Sequence, residues 1–295
     1  MAFRPDEYLR PRSVEEAVDL LERYGESAVV ISGSITVNEL AKRGFLSDVK
    51  QLIDIEGIGL NWVRVDQLHI KIGASTTYSD ILQHQALRTP ALMSIHEAAT
   101  NVHPDQVRNI GTVGGAICSG FPFLDLPTGL LPHDVSLTIV GPRGERTVPL
   151  EAFVFARLDE KLNRGEILKE VTIPSAGSGM GSAFAKYGQT ALDWAVLNCA
   201  ASLRVDAEGI VRGARVFAGG KGVDITSPHK SAEALTGAGF SDAVVERACE
   251  EMALALPAVS DTRGSAAFRR YTIKRLLRDA LVTAYRRAAT PWASR

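Results

Sequence analysis

The 295-residue sequence has only three cysteines, Cys118, Cys199 and Cys249, and none of them belongs to a C-x-x-C pair. An iron–sulfur cluster needs about four cysteine ligands at suitable spacing, so this chain holds no cluster of its own. The six histidines show no close pairing either. We therefore expect no metal site.

Charge of one sign and long apolar runs are also missing. The formal net charge is −1 and the isoelectric point is about 6.6, which gives no electrostatic reason to bind nucleic acid or a membrane surface. No stretch approaches the roughly eighteen apolar residues of a membrane span, and the first five residues lack the apolar core of a signal peptide. We expect a cytoplasmic protein without a membrane span.

The most informative feature that is present is a glycine-rich loop. Gly111, Gly114 and Gly115 occupy three of five positions, and Thr112 stands among them. Such a backbone can approach a ligand closely and direct N–H groups at it, and a phosphate is the usual ligand. The alternative is a tight turn between buried strands, which would leave Thr112 without a role.

A second loop of similar character lies near the N-terminus. An apolar run, Val29 to Ile31, predicts a buried strand, and it ends in Ser32-Gly33-Ser34 just before a predicted helix from about Val37 to Lys42. Small residues at a helix N-terminus favour anion binding, although an ordinary strand–turn–helix with Ser34 or Thr36 as N-cap fits equally well. Two such loops suit a ligand with two phosphates that binds between them.

Other nucleotide signatures are excluded. The glycine loop lacks the G-x-G-x-x-G spacing of a Rossmann dinucleotide fold, and Gly219-Gly220-Lys221-Gly222 lacks the spacing of a P-loop. We interpret residues 219–222 as a hairpin turn.

Periodicity predicts mixed helices and strands, with a linker over residues 174–179. Ser13 and Glu16 form a capping box that opens a helix up to Glu22. Further helices are predicted at 77–85, 89–100, 243–255 and 266–287. Strands are predicted at 51–54, 63–74, 135–140, 147–150 and 167–173, and a three-stranded sheet at 184–186, 195–205 and 211–218.

These motifs together resemble the FAD-binding medium subunit of molybdenum hydroxylases. The resemblance rests on the two loops, on Asp125, on Leu130-Leu131-Pro132-His133-Asp134 and on weaker matches in the same order along the chain, such as Asp193-Trp194-Ala195. It implies an α+β fold, with a two-subdomain FAD-binding domain of the vanillyl-alcohol-oxidase/PCMH type and a C-terminal domain of sheet and helices. The implied bounds are 1–175, with subdomains of about 1–56 and 57–175, and 180–290.

The resemblance also implies the site. The two loops would sandwich the FAD pyrophosphate, Asp125 would bind a hydroxyl of the flavin's sugar-like chain, and Lys186 would approach the flavin ring, with a solvated strand-edge lysine as the alternative. The full implied set of FAD-binding residues is Val29, Val30, Ile31, Ser32, Gly33, Ser34, Ile35, Thr36, Val102, Gly111, Thr112, Val113, Gly114, Gly115, Ala116, Asp125, Leu168 and Lys186.

Two positions depart from the family pattern. Ser34 stands where the first loop usually has its second glycine, within a loop that usually reads Ala-Gly-Gly-Thr-Asp-Leu, and Ala116 stands where the second loop usually ends in Asn. Loss of a side-chain donor would weaken FAD binding by roughly 1–2 kcal/mol.

The function implied is that of an oxidoreductase subunit without catalytic residues of its own, which passes electrons from a partner's iron–sulfur clusters through FAD to an external acceptor. The implied partners are a large molybdenum-cofactor subunit and a small subunit with two-iron two-sulfur clusters, in a dimer of heterotrimers. Two alternatives stay open: a self-sufficient FAD oxidoreductase, and a flavin-free assembly subunit.

Overall fold

A computed structural model describes residues 3–290. Its strands are β1 (Glu7–Leu9), β2 (Ala28–Ile31), β3 (Gln51–Asp54), β4 (Val63–Val65), β5 (His69–Gly73), β6 (Ser136–Gly141), β7 (Gly144–Pro149), β8 (Ile167–Pro174), β9 (Met180–Tyr187), β10 (Leu197–Val205), β11 (Val211–Gly220) and β12 (Val223–Thr226). Its α-helices are α1 (Val14–Tyr24), α2 (Ile35–Lys42), α3 (Tyr78–Gln83), α4 (Met93–Thr100), α5 (Asp105–Ile110), α6 (Val113–Cys118), α7 (Asp125–Leu130), α8 (Leu150–Phe155), α9 (Leu158–Lys161), α10 (His229–Leu235), α11 (Asp242–Ala255) and α12 (Ala266–Ala289).

The chain folds into two compact units, each built from separate stretches of sequence. Within the described residues, the first unit comprises 3–81, 105–120 and 134–174, and the second comprises 82–104, 121–133 and 175–290. The sequence-based domain bounds, 1–175 and 180–290, stay a prediction.

The first unit contains two sheets. A parallel sheet has the strand order β1-β3-β2, and α1 covers it because Ala17, Val18 and Leu21 on one helix face pack on Ile53. An antiparallel sheet has the order β4-β5-β8-β6-β7. As predicted, Ser13 caps α1, since its hydroxyl accepts the Glu16 N–H group.

The second unit is an antiparallel sheet of order β12-β11-β10-β9, covered by α11 and α12. Its strands β10 and β11 are buried over most of their length because helices pack on them. Two helices from earlier in the chain join this unit: α4 packs on β9, where Phe184 contacts Ala98, and α7 lies against β10. This places Asp125 of α7 beside the sheet.

Two strand predictions were wrong. The single strand expected at 63–74 is a hairpin, because the Asp66 carboxylate accepts the N–H groups of Leu68 and His69 and turns the chain. The sheet of the second unit has a fourth strand, β12, which follows the turn at Lys221-Gly222. That turn confirms the hairpin interpretation of residues 219–222.

Candidate functional site

The first loop connects the edge strand β2 to α2 and holds an unusual backbone conformation at Ser34. Its φ is 58° and its ψ is 4°, the left-handed region that glycine adopts most readily. The Ser34 hydroxyl donates to the carbonyl of Ser32 and does not cap α2, so the side-chain N-cap expected as the alternative is wrong at this residue. The chain therefore keeps the conformation of a glycine at a position where it has serine.

The two glycine-containing loops touch. A Cβ atom added to Gly33 would lie 1.5 Å from the backbone oxygen of Ile110, and one added to Gly111 would lie 2.6 Å from the Tyr78 ring. Both glycines are therefore required for backbone packing within the first unit. The contact joins two segments almost eighty residues apart in the sequence, at one end of α2.

The second loop is shorter than the sequence suggested, because α6 begins at Val113. Thr112 is its N-cap, and the Thr112 hydroxyl accepts the N–H group of Gly115 at 3.1 Å. The expectation that Thr112 has no role without a ligand was wrong. Gly114 is likewise explained by packing, since an added Cβ would lie 2.9 Å from both the Cβ and the carbonyl oxygen of Ala74.

The backbone donors of the second loop are already engaged. The N–H groups of Val113, Gly114 and Ala116 donate to the carbonyls of Thr76, Ala74 and Thr112 respectively. In the first loop, by contrast, the N–H groups of residues 33–36 have no hydrogen-bond acceptor within the described part of the chain. The first backbone hydrogen bond of α2 is donated by the Asn38 N–H group to the carbonyl of Ser34. The open donors of this site are therefore at the start of α2, where the helix dipole also favours an anion.

Gly115 is the exposed member of the second loop. Residues 111–114 and Ala116 are buried, whereas Gly115 faces outward. An added Cβ there would meet only the Thr112 hydroxyl within 4 Å. Its surface is thus open to a ligand. The first loop presents free N–H groups, and the second presents an uncovered glycine. These features fit a pyrophosphate.

Asp125 and Lys186, predicted to contact FAD, contact each other in the second unit. The Lys186 ammonium donates to one carboxylate oxygen of Asp125 at 2.8 Å and to the carbonyl of Asn101 at 3.1 Å. The Lys186 side chain is 8% exposed and the Asp125 side chain is 4% exposed. Lys186 does lie on an edge strand, but it is not solvated, so that alternative was wrong.

Burial raises the pKa of the Asp125 carboxyl above its ordinary value, although Lys186, a hydrogen bond from Asn198 and the nearby His103 each act in the opposite direction. Burial thus opposes the charged form of Asp125, and its protein partners favour that form.

The two remaining predicted residues, Leu168 and Val102, belong to different units. Leu168 is on β8 in the first unit with its side chain buried, and Val102 follows α4 in the second unit and is half-buried. Sequence reasoning missed Asn198, which is fully buried on β10 and donates to the second Asp125 oxygen at 3.0 Å. An amide inside the apolar run Leu197–Ala201 is the signal that could have identified it, because a buried amide requires partners.

Among the side chains that the structure describes, which exclude those of residues 158 and 159, no group of three His, Cys, Asp or Glu is placed to hold a metal ion. None of the described helices is apolar enough over a sufficient length to cross a lipid bilayer.

Comparison with known families gives two matches that together span most of the chain. Residues 1–176 match the FAD binding domain in molybdopterin dehydrogenase, and residues 182–284 match the CO dehydrogenase flavoprotein C-terminal domain.

Individual relatives match over nearly their full length. The chain is 29% identical to the carbon monoxide dehydrogenase medium chain of Hydrogenophaga pseudoflava, covering 96% of this chain and 98% of that one. It is 27% identical to the nicotine 6-hydroxylase medium subunit of Paenarthrobacter nicotinovorans, covering 94% and 96%. Among solved structures, a carbon monoxide dehydrogenase from Hydrogenophaga pseudoflava superposes with a TM-score of 0.91 at 29% identity, over 97% of this chain and 99% of that chain.

Proposed function

The chain belongs to the family of FAD-binding subunits of molybdopterin dehydrogenases, and on that premise we propose that it is the flavoprotein subunit of a heteromeric molybdenum hydroxylase. In this role it binds one FAD and passes electrons from a partner's iron–sulfur clusters to an external acceptor. The relatives' names support this, since both are medium subunits of oxidoreductases. The observation in the structure that carries it is the pair of touching loops, of which the first has open N–H donors at residues 33–36 and the second has the outward-facing Gly115.

In the proposed site, the N–H groups of residues 33–36 bind the FAD pyrophosphate at the start of α2, with the helix dipole behind them. Thr112 fixes the second loop by capping α6, and Gly115 leaves room for the phosphates. Bound FAD supplies the redox chemistry, accepting electrons singly or in pairs. The other contacts proposed for the cofactor come from Val29 to Ser32, Val102, the rest of the second loop, Asp125, Leu168 and Lys186.

Electrons must enter this chain from outside. Three cysteines are too few for a cluster, and nothing in the sequence resembles a molybdenum pocket. We propose a large molybdenum-cofactor subunit and a small subunit with two-iron two-sulfur clusters as partners, in a cytoplasmic dimer of heterotrimers.

The first test is the absorbance spectrum of the purified chain. We expect the spectrum of oxidised flavin, and acid denaturation should release all the colour as FAD, because the proposed contacts are noncovalent. A colourless chain would support the flavin-free assembly subunit. Colour retained in the precipitate, or released as FMN, would contradict the noncovalent FAD site.

The second test addresses electron entry. The chain is co-expressed with a cysteine-rich subunit and a large subunit, which we expect to be encoded beside it, and the assembled complex is screened for a compound that bleaches its flavin. The same compound should leave the flavin of the isolated chain oxidised, while dithionite reduces both samples as a control. Rapid reduction of the isolated chain by that compound would instead identify a self-sufficient oxidoreductase.

A further inference from the structure

A cavity lined with arginine lies at one end of the antiparallel sheet of the first unit. It is formed by residues 141–146 at the tip of the β6–β7 hairpin and by the turn at residues 163–166 before β8, and its volume is about 220 Å³. Its charged lining residues are Arg143, Glu145, Arg146, Arg164 and Glu166. All of them belong to the first unit, so the cavity is complete within that unit.

The hairpin tip and the turn are packed closely against each other. A Cβ atom added to Gly141 would lie 2.6 Å from Cγ of Glu166, and one added to Gly165 would lie 3.1 Å from Cδ of Pro142. The backbone on both sides of the cavity is therefore fixed by direct contact.

The carboxylate of Glu166 is fully engaged by its neighbours. It accepts hydrogen bonds from Nε and Nη2 of Arg146 at 2.9 and 2.7 Å, and from the side-chain amide and backbone N–H group of Asn163 at 2.9 and 2.7 Å. Burial raises the pKa of Glu166, but these hydrogen bonds outweigh it and hold the pKa at about 2. Glu166 is therefore ionised at neutral pH and compensates the charge of Arg146.

The other glutamate of the cavity, Glu145, pairs with a lysine. Its carboxylate lies 2.5 Å from the ammonium of Lys169. Within the part of the chain that the structure describes, no carboxylate forms an ion pair with Arg143 or Arg164. These two guanidinium groups are thus the uncompensated charges of the cavity.

Arg164 is held in place by the end of α1. Its Nη2 atom donates to the carbonyl of Glu22 at 2.8 Å, and a Cβ atom added to Gly25 would lie 2.9 Å from the Arg164 guanidinium carbon. A guanidinium group has five N–H donors, so this contact leaves most of them available. Arg143 is exposed at the hairpin tip, and no described hydrogen bond involves its side chain.

We propose that this cavity binds a small oxyanion of the phosphate type through the guanidinium groups of Arg143 and Arg164. The planar donors of arginine match the oxygen atoms of a phosphate in pairs. The cavity is smaller than the roughly 300–1,000 Å³ of sites for drug-sized ligands, so it suits inorganic phosphate, pyrophosphate or one phosphate group of a larger molecule. It shares no lining residue with the two glycine-containing loops, and the proposal does not rest on the proposed function.

The deciding experiment is isothermal titration calorimetry of the purified full chain, desalted after loading with FAD, against pyrophosphate and separately against inorganic phosphate. In buffer of low ionic strength we expect at least one of the two anions to bind with a dissociation constant below about 1 mM. Arg143→Met should raise that constant at least about tenfold, because hydrogen bonds to a charged group are lost. Its urea midpoint should match the parent, since Arg143 is exposed.

The double variant Arg143→Met/Arg164→Met should abolish binding. Arg143→Met alone decides the question should the loss of the Arg164 contact with α1 prevent folding. Tighter binding of pyrophosphate would indicate that two phosphate groups enter the cavity, and tighter binding of inorganic phosphate would indicate one. Anion binding at the first loop would persist in Arg143→Met and is thereby distinguished.

The matched control is Arg64→Met, which removes the same charge from the same unit. Arg64 is exposed on β4, its guanidinium carbon lies 4.2 Å from the centroid of the Trp62 ring, and it does not line the cavity. This variant should bind the anion as the parent does. Equal weakening in Arg64→Met and Arg143→Met would overturn the proposal, because the anion would then respond to net charge alone.

Two further results would overturn it: no binding of either anion to the parent below about 1 mM, and parental affinity in Arg143→Met together with the double variant. Failure of the proposed function is a separate outcome. A chain without FAD can still be titrated with both anions, and a chain with full FAD content can still fail to bind them.

Discussion

Replacement of Gly33 by alanine tests whether the two loops form one site. An alanine Cβ would lie 1.5 Å from the Ile110 carbonyl oxygen, whereas ordinary contact begins at 3.4 Å, so the loops must separate by about 1.9 Å. Backbone atoms stand on both sides of this contact, and no side chain can rotate away to relieve it. The cost lies at the upper end of the range for overpacking, about 3 kcal/mol.

We expect Gly33→Ala to lower the urea midpoint of unfolding and to lose FAD on desalting. The matched control is Gly57→Ala, in the same unit, where an added Cβ meets nothing within 4 Å. That variant should retain FAD and be more stable by about 0.4–1 kcal/mol, because alanine restricts the unfolded chain. A Gly33→Ala protein with parental stability and full FAD content would refute the contact between the loops and the site built on it.

The remaining predictions concern the second loop and the pH dependence of stability. Gly115→Val should lower FAD content in the purified chain, and its urea midpoint should fall less than that of Gly114→Val, because a Cβ on Gly115 meets the Thr112 hydroxyl at 3.0 Å whereas one on Gly114 meets both the Cβ and the carbonyl oxygen of Ala74 at 2.9 Å. Equal FAD content in Gly115→Val and parent would place the ligand elsewhere. His133 is buried, its Nε2–H donates to the Ser94 hydroxyl, and burial with the nearby Arg215 lowers the pKa of His133 from 6.5 to about 3. Below pH 6.5 the unfolded chain therefore binds a proton at His133 that the folded chain does not bind. The free energy of unfolding falls as the pH drops from about 6.5 towards 3, by about 2 kcal/mol between pH 7.5 and pH 5. Urea unfolding of His133→Gln at these two pH values should show a smaller loss, and an identical loss would contradict the assignment.

The sequence by itself determined the parts of this protein that depend on local order. The capping box at Ser13 and Glu16, the strand–turn–helix around Ser32-Gly33-Ser34 and the hairpin turn at Lys221-Gly222 each follow from neighbouring residues, and each is present in the structure. The family was also evident from the order of short motifs. Local backbone preferences depend on a few neighbouring residues, so a short sequence pattern predicts a cap or a turn without knowledge of the rest of the chain.

The tertiary structure decided which groups act together. The glycine pattern alone did not show that Gly114 packs on Ala74, or that the outward-facing Gly115 and the start of α2 are the open parts of the two loops. Asp125 pairs with Lys186, 61 positions away, and accepts a hydrogen bond from Asn198, 73 positions away. Burial, and with it the cost of a lone charge, depends on contacts between distant segments, and no local pattern in the sequence encodes those contacts.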